Sequence, residues 1–302
     1  MKARHHQTQA IEFCLRTLQA GHSRCVVQMP TGSGKSFVER RLVDYWIRQG
    51  GSAYILCPSE EVIHQQRIDA LKEGLLPTIE KAELHASSYA RFVLGSFNTM
   101  WRRYEKHRRT KTLAILDECH HFNFDAPINL KIASIFERVI GFSATPWASG
   151  CIDFFEKHLH VYPLSQSIKD GISCPYQILP WSNPTPGRYQ IVYCSNMQDI
   201  RDMCQRILPS EYAVYQDNDA RLTISRFRCG GLGTIVVNRM LTEGFDLPQI
   251  KRVWIAKNTD SMIHVLQMTG RALRPFNKQE AQVYVASAQT ESTLQAAIER
   301  AG

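Results

Sequence analysis

The sequence predicts an α/β chain with two mainly parallel sheets in series, each covered by helices on both faces. Three observations predict it. Short runs rich in Val, Ile and Tyr alternate with amphipathic segments along the whole length. These runs are apolar throughout, as strands buried on both faces are. The chain has 302 residues with 44% hydrophobic content, enough for two packed cores of about 150 residues each.

The elements follow in order. Strands are expected at Cys25–Met29, Ala53–Cys57, Phe92–Gly95, Leu113–Leu116 and Val139–Phe142 in the first half. In the second half they are expected at Gln190–Cys194, Tyr212–Tyr215, Thr234–Val237, Val253–Ala256 and Val283–Ala286. Amphipathic spacing predicts helices over Lys35–Gln49, Glu60–Lys72, Met197–Leu208, Ala220–Phe227 and Ser261–Thr269, the first closed by Gly50-Gly51. Prolines cluster between Tyr162 and Arg188, so the domains are expected at 1–162 and 163–302 with a linker over about 162–188.

Composition narrows the class. No run approaches the roughly 20 apolar residues of a membrane helix, and the start, MKARHHQTQA, has no apolar secretory core. The nine cysteines form no C-x-x-C pair, so neither structural zinc nor a disulfide framework is expected and a reducing cytoplasm is the setting. Net charge is +8, divided as +5 over residues 1–162 (21 Lys/Arg against 16 Asp/Glu) and +3 over the rest (15 against 12). A polyanion bound along both halves suits that division.

Three motifs carry chemistry. MPTGSGKS (Met29–Ser36) lies between an expected strand and an expected helix, the context of a phosphate loop. Thr31, Gly32, Ser33 and Gly34 can turn backbone N–H groups towards phosphate oxygens at a helix N-terminus. Lys35 would reach the terminal phosphates and Ser36 would ligate Mg²⁺. Met29 stands where the generic pattern has its first glycine. DECH (Asp117–His120) ends an apolar strand, putting Asp117 and Glu118 at the carboxyl edge where open sheets bind ligands. Asp117 can hold Mg²⁺ and Glu118 can orient the attacking water. QMTGRALR (Gln267–Arg274) places Arg271 and Arg274 three apart on the expected last helix, as candidate arginine fingers. One ATP served by residues so distant implies a site formed between two domains.

The ordered set resembles a superfamily 2 helicase of the DExH type, in the style of the type III restriction subunit, RecG and XPB-like DNA translocases. RHHQTQAI (Arg4–Ile11) resembles the element whose glutamine, here Gln7, reads adenine. CPSEEVIHQQ (Cys57–Gln66), GSFNTM (Gly95–Met100), GFSATPW (Gly141–Trp147), IVYCSN (Ile191–Asn196) and MLTEGFDLP (Met240–Pro248) resemble motifs Ia, Ib, III, IV and V. The resemblance implies two RecA-like domains. It also implies that His120, Ser143 and Thr145 couple hydrolysis to domain movement. Gly244 and Asp246 would lie near the nucleotide and Gln267 near its phosphates. Ser59, Ser96, Thr99, Ser195 and Thr242 would face a nucleic-acid backbone, a mode of contact that positions a strand without reading sequence.

The same resemblance favours DNA, single-stranded or branched, over RNA, and leaves room for a partner protein. The spacings leave no space for a large strand-separating insertion, so the chain is expected to be close to a bare motor. A rival class is an ATP-switched loading module without processive movement. The stretch WRRYEKHRRTK (Trp101–Lys111) carries six Lys/Arg against Glu105. It reads either as a duplex grip by charge and stacking or as a solvated helix and loop. His120 and His121 look like a metal pair, but adjacent residues on regular structure face apart; His121 is expected to be structural.

Overall fold

The computed structural model describes residues 2–81, 83–87, 89–147, 150–185, 187–207, 210–213, 219–238, 241, 247–277 and 279–301. The chain divides into two compact units. One is Met1–Pro30 with Gly34–Pro163; the other is Thr31–Ser33 with Leu164–Gly302.

Unit 1 contains β1 (Arg24–Gln28), β2 (Ser52–Cys57), β3 (Thr78–Glu80), β4 (Phe92–Ser96), β5 (Thr112–Asp117), β6 (Arg138–Ser143) and β7 (Leu159–Val161). They pair in parallel in the order β3-β4-β2-β5-β6-β1-β7. Alternate residues of each strand feed two cores. Cys25, Val27, Ile55, Leu113 and Ile115 pack on one face. Val26, Tyr54, Leu56, Ala114 and Leu116 pack on the other. A strand buried on both sides has no polar face to show, so these runs read as continuous apolar stretches. Helices α1 (His5–Gln19), α2 (Lys35–Arg48), α3 (Glu60–Lys72), α4 (Phe97–Arg103), α5 (Pro127–Ser134) and α6 (Cys151–Phe154) connect the strands.

Unit 2 contains α7 (Leu164–Lys169), β8 (Tyr176–Pro180), β9 (Gln190–Tyr193), α8 (Met197–Arg206), β10 (Ser210–Ala213), α9 (Ala220–Arg228), β11 (Thr234–Val237), β12 (Arg252–Ile255), α10 (Met262–Gly270), β13 (Ala281–Val285) and α11 (Ala288–Ala301). Its strands are parallel in the order β10-β11-β9-β12-β13-β8. Trp254 and Tyr284 face each other across β12 and β13, with stacked rings 4.5 Å apart. The fold is α/β with parallel sheets, as expected.

Several expectations change. The proline-rich stretch expected as a linker holds α7 and the edge strand β8. Pro175 and Pro180 flank or end that strand, positions where proline is tolerated. The strand expected at Tyr212–Tyr215 runs over Ser210–Ala213, and Val214 and Tyr215 lie outside the described residues. The helix expected to carry Arg271 and Arg274 ends at Gly270. Arg271 is its C-cap and Arg274 lies in a bend, so the two do not share a helix face.

Candidate nucleotide site

The parallel register of unit 1 brings its motifs to one edge. Gln28 at the end of β1 pairs with Ser143 at the end of β6, and Asp117 at the end of β5 pairs with Phe142. The Met29 N–H donates to the Ser143 carbonyl at 3.0 Å. The loop after β1 is shaped by Gly32 at φ +84° and Gly34 at φ +91°, where side chains are disfavoured. Gly34 is the N-cap of α2. A Cβ at Gly34 would collide with Nε2 of Gln7, so Gln7 packs against the loop itself. The Gln7 Oε1 accepts the Arg4 N–H at 2.9 Å, which anchors the side chain at the start of α1.

A chain of polar contacts runs along this edge. Lys35 is buried, its Nζ 3.1 Å from Glu118 and 3.4 Å from the Met29 carbonyl. Glu118 has φ +49°, a left-handed conformation uncommon for residues other than glycine. Such conformations cluster at functional sites. Its other oxygen lies 3.5 Å from Nδ1 of His120, and that nitrogen is 2.8 Å from the Ser143 hydroxyl. The Ser143 hydroxyl in turn accepts the Thr145 N–H at 2.9 Å. His120 and His121 fall in a 3-10 turn, Cys119–His121, which brings their rings to 4.2 Å. The rule that adjacent residues face apart fails there; His121 is exposed with its ring against His120.

Beneath the edge lies a second layer that the sequence did not announce. Gln66 of α3 donates from Nε2 to Glu39 at 2.6 Å and to Asp117 at 3.3 Å. Its Oε1 accepts from Arg40 at 3.0 Å, and Arg40 bonds Glu73 at 2.8 Å. Burial, then the charge of Asp117, push the Glu39 carboxyl well above the usual range. Burial, then the charge of Glu118, push Asp117 up to about 6. Glu39 lies four residues after Lys35, hence on the same helix face, but that spacing alone does not tell a buried face from a surface one.

The other expected residues occupy the following places. Ser36 is half-buried in the first turn of α2, and Thr31 and Ser33 complete the loop. Ser59 and Ser96 are the N-caps of α3 and α4; their hydroxyls accept the Val62 N–H at 3.3 Å and the Thr99 N–H at 3.1 Å. Ser96 also meets the Thr99 hydroxyl at 2.8 Å. All three lie at the carboxyl ends of the adjacent strands β2 and β4. In unit 2, Ser195 is exposed just after β9, and Gln267 and Arg271 are buried. Burial lowers Arg274 to about 10. Thr242, Gly244 and Asp246 lie outside the described residues.

The basic stretch is mostly the solvated segment expected, with two of its arginines drawn into the fold. Arg103 bonds the buried carboxylate of Glu80 at 2.6 Å, and Arg109 bonds the Ala90 and Ser87 carbonyls at 3.0 and 3.3 Å. Two of its arginines thus hold the fold together, while Arg102 and Arg108 remain exposed.

Residues 1–148 match the family model of the type III restriction enzyme, res subunit. The amino-terminal half thus carries the domain of that res subunit, which supports a superfamily 2 helicase of the DExH group. The chain is 22% identical over 340 residues to the Saccharomyces cerevisiae helicase-family protein IRC3, covering 90% of this chain and 49% of that one. It thus spans about half the length of that relative. Its fold is similar to the Type ISP restriction-modification enzyme LlaBIII bound to DNA, with TM-score 0.76 and 13% identity, over 100% of this chain and 30% of that one. It is also similar to S. cerevisiae Dbp5 bound to RNA and ADP BeF3, with TM-score 0.69 and 15% identity, over 97% of this chain and 87% of that one. Among the described residues no helix is long and apolar enough to cross a membrane.

Proposed function

We propose that the chain is an ATP- and Mg²⁺-dependent DNA motor that couples ATP hydrolysis to movement along, or remodelling of, a DNA strand. The observation that carries this reading is the contact chain Lys35–Glu118–His120–Ser143–Thr145 on the carboxyl edge of one sheet. It joins a lysine that can bind phosphate to a carboxylate that can orient water. It then leads away from the chemistry through a histidine and two hydroxyls.

The residues fit the nucleotide and its metal. The two left-handed glycines and the start of α2 form a cradle of N–H groups. Ser36 and the buried Asp117 supply hard oxygen donors. Gln7, held against the loop, is the adenine reader. Bound Mg²⁺ would neutralise charge on the terminal phosphates. Lys35 would exchange its contact with Glu118 for phosphate, which frees Glu118 to hold water. His120 would pass the change at Glu118 to Ser143 and Thr145. On the family resemblance, Gln267, Arg271 and Arg274 act at the transferring phosphoryl group. Ser59, Ser96 and Thr99 line a strand's backbone.

DNA is preferred because the family that matches is a restriction-enzyme family and because QMTGRALR resembles DNA-acting members. The likeness to RNA-bound Dbp5 makes RNA the alternative substrate. The test is the ATP hydrolysis rate with no nucleic acid, single-stranded DNA, forked DNA and RNA, with Lys35→Ala as blank. Stimulation by DNA above RNA supports the proposal; stimulation by RNA alone replaces the substrate. DNA-stimulated hydrolysis without strand displacement or translocation points to the ATP-switched loading module. Flat rates in all conditions reject the motor.

A further inference from the structure

At the opposite end of the unit 1 sheet, the chain enters β1 and β7 through two turns that lie side by side, since β1 and β7 pair in parallel from Val26 and Leu159. One turn carries His22. The other carries Glu156 and His158. The ligand-capable atoms of these three residues all lie within 4.8 Å of one another. Nε2 of His158 is 4.0 Å from the Glu156 carboxylate, and the rings of His22 and His158 are 3.9 Å apart and tilted by 45°.

Both turns are pinned by their backbones. The His22 N–H donates to the Thr17 carbonyl at 3.3 Å, and the next carbonyl, of Ser23, accepts from Val139 at 2.9 Å. The His158 N–H donates to Phe155 at 2.9 Å and its carbonyl accepts from Val26 at 2.8 Å. Glu156 and Lys157 are both left-handed, at φ +53° and +61°, a costly conformation for two successive residues with side chains. This turn is what brings the Glu156 and His158 side chains together on the His22 side. The side chains themselves remain adjustable, with His22 and Glu156 exposed and His158 half-buried.

We propose that His22, Glu156 and His158 bind a divalent transition-metal ion, zinc first. Two imidazoles and one carboxylate are a known three-ligand zinc set with a fourth position left for water or a further ligand. The nitrogen donors argue against magnesium and calcium, which take oxygen. Metal–ligand bonds of about 2.0–2.2 Å in a tetrahedron put donor atoms about 3.3 Å apart. The three side chains therefore need to close by about 1 Å, within reach of exposed rotamers on fixed backbone. The ion would clip the α1–β1 turn to edge strand β7, away from the nucleotide edge. The expectation of no structural zinc rested on cysteine spacing, which says nothing about a site made of histidines.

The experiment uses tag-free full-length protein stripped with chelator and titrated with Zn²⁺ by calorimetry. Co²⁺ absorption reports the ligand field, and melting in chelator with and without metal reports stability. The proposal expects one saturable Zn²⁺ equivalent and a melting temperature raised by about 3–6 °C at saturation. His22→Ala and His158→Ala should each weaken binding about 10-fold or more while melting like wild type in chelator. Absence of uptake by the wild type at about 100 µM Zn²⁺ overturns it, since such an ion would not stabilise the fold at lower concentration. Uptake unchanged in both variants also overturns it, because the zinc would then sit on thiols or elsewhere.

Discussion

Unit 1 holds two buried charge clusters built from similar parts, and their differences separate chemistry from architecture. At one edge Glu80 is fully buried between Arg103 at 2.6 Å, the Ala86 N–H at 2.8 Å and His107 at 3.4 Å. Burial raises the Glu80 carboxyl, but Arg103, the Ala86 N–H and neighbouring cations outweigh it and hold it below the usual range. The Glu80 carboxylate is met from three sides, and the cluster ties β3 to the segment after α4. At the carboxyl edge the balance is reversed. Asp117 and Glu39 are pushed up instead, with burial first among the causes and a neighbouring carboxylate next. Acidic charge is crowded against Lys35, with Arg40 behind it, an arrangement that a bound cation and phosphate would relieve. A satisfied cluster stabilises; a frustrated one at a sheet edge is set up for a ligand.

The comparison can be broken in order of effect. Lys35→Ala removes the cation that the acidic edge is built around. Hydrolysis should fall about 10²–10³-fold, the scale for losing one positioned charge, and calorimetry should show weakened nucleotide binding with a small change in melting temperature. Arg103→Leu acts on the other cluster, stranding Glu80 without its main partner. It should cost about 3 kcal/mol in denaturant unfolding, while the ATPase rate per folded molecule stays within about twofold. A variant that unfolds less but hydrolyses poorly would place Glu80 in the chemistry. The stabilisation from Glu80 is present above the ordinary carboxylate value and is lost as pH falls through its lowered one, so the stability gap between wild type and Arg103→Leu should shrink in acid.

Asp117 carries the opposite sign. Its folded value of about 6 lies above the ordinary 3.8, so the nucleotide-free fold binds that proton more tightly than the unfolded chain. The stability contributed by the proton is complete below about pH 4 and is lost as pH rises through about 6. Hydrolysis, which needs the carboxylate, should rise over the same interval. Gln66→Met is the finest test. The hydrogen bond from Gln66 lowers Asp117, so its loss should move the acid limb of the pH–rate profile upward. At pH 8 the rate should stay within about threefold of wild type, and stability should fall by about 1–3 kcal/mol from unmet buried polar groups. An acid limb that does not move would detach Gln66 from Asp117.

How much of this was legible follows from the same residues. Lys35, Asp117, Glu118 and Ser143 were readable because each follows an apolar run, and parallel strands deliver such residues to one edge. Glu39 and Gln66 were not: each sits inside an amphipathic helix, where a polar residue reads as surface until the third dimension turns it inward. Arg103 of the Trp101–Lys111 stretch misled for the converse reason. Its partner Glu80 lies on β3, a three-residue strand too short to give an apolar run. Arg271 and Arg274 were placed on one helix face by their three-residue spacing, but the helix stops at Gly270. Ser59 and Ser96 carry cap contacts that any serine before a helix makes, so the sequence alone could not separate capping from nucleic-acid binding.

The most direct test of the central claim is single-turnover ATP hydrolysis by Glu118→Gln alongside nucleotide and DNA binding. The account predicts a rate reduced about 10²–10⁴-fold, the range for losing a positioned general base. ATP and single-stranded DNA should still bind within a few-fold of wild type, because Lys35 and the phosphate loop remain. Hydrolysis at the wild-type rate in Glu118→Gln would contradict the assignment of the carboxyl edge as the site of chemistry.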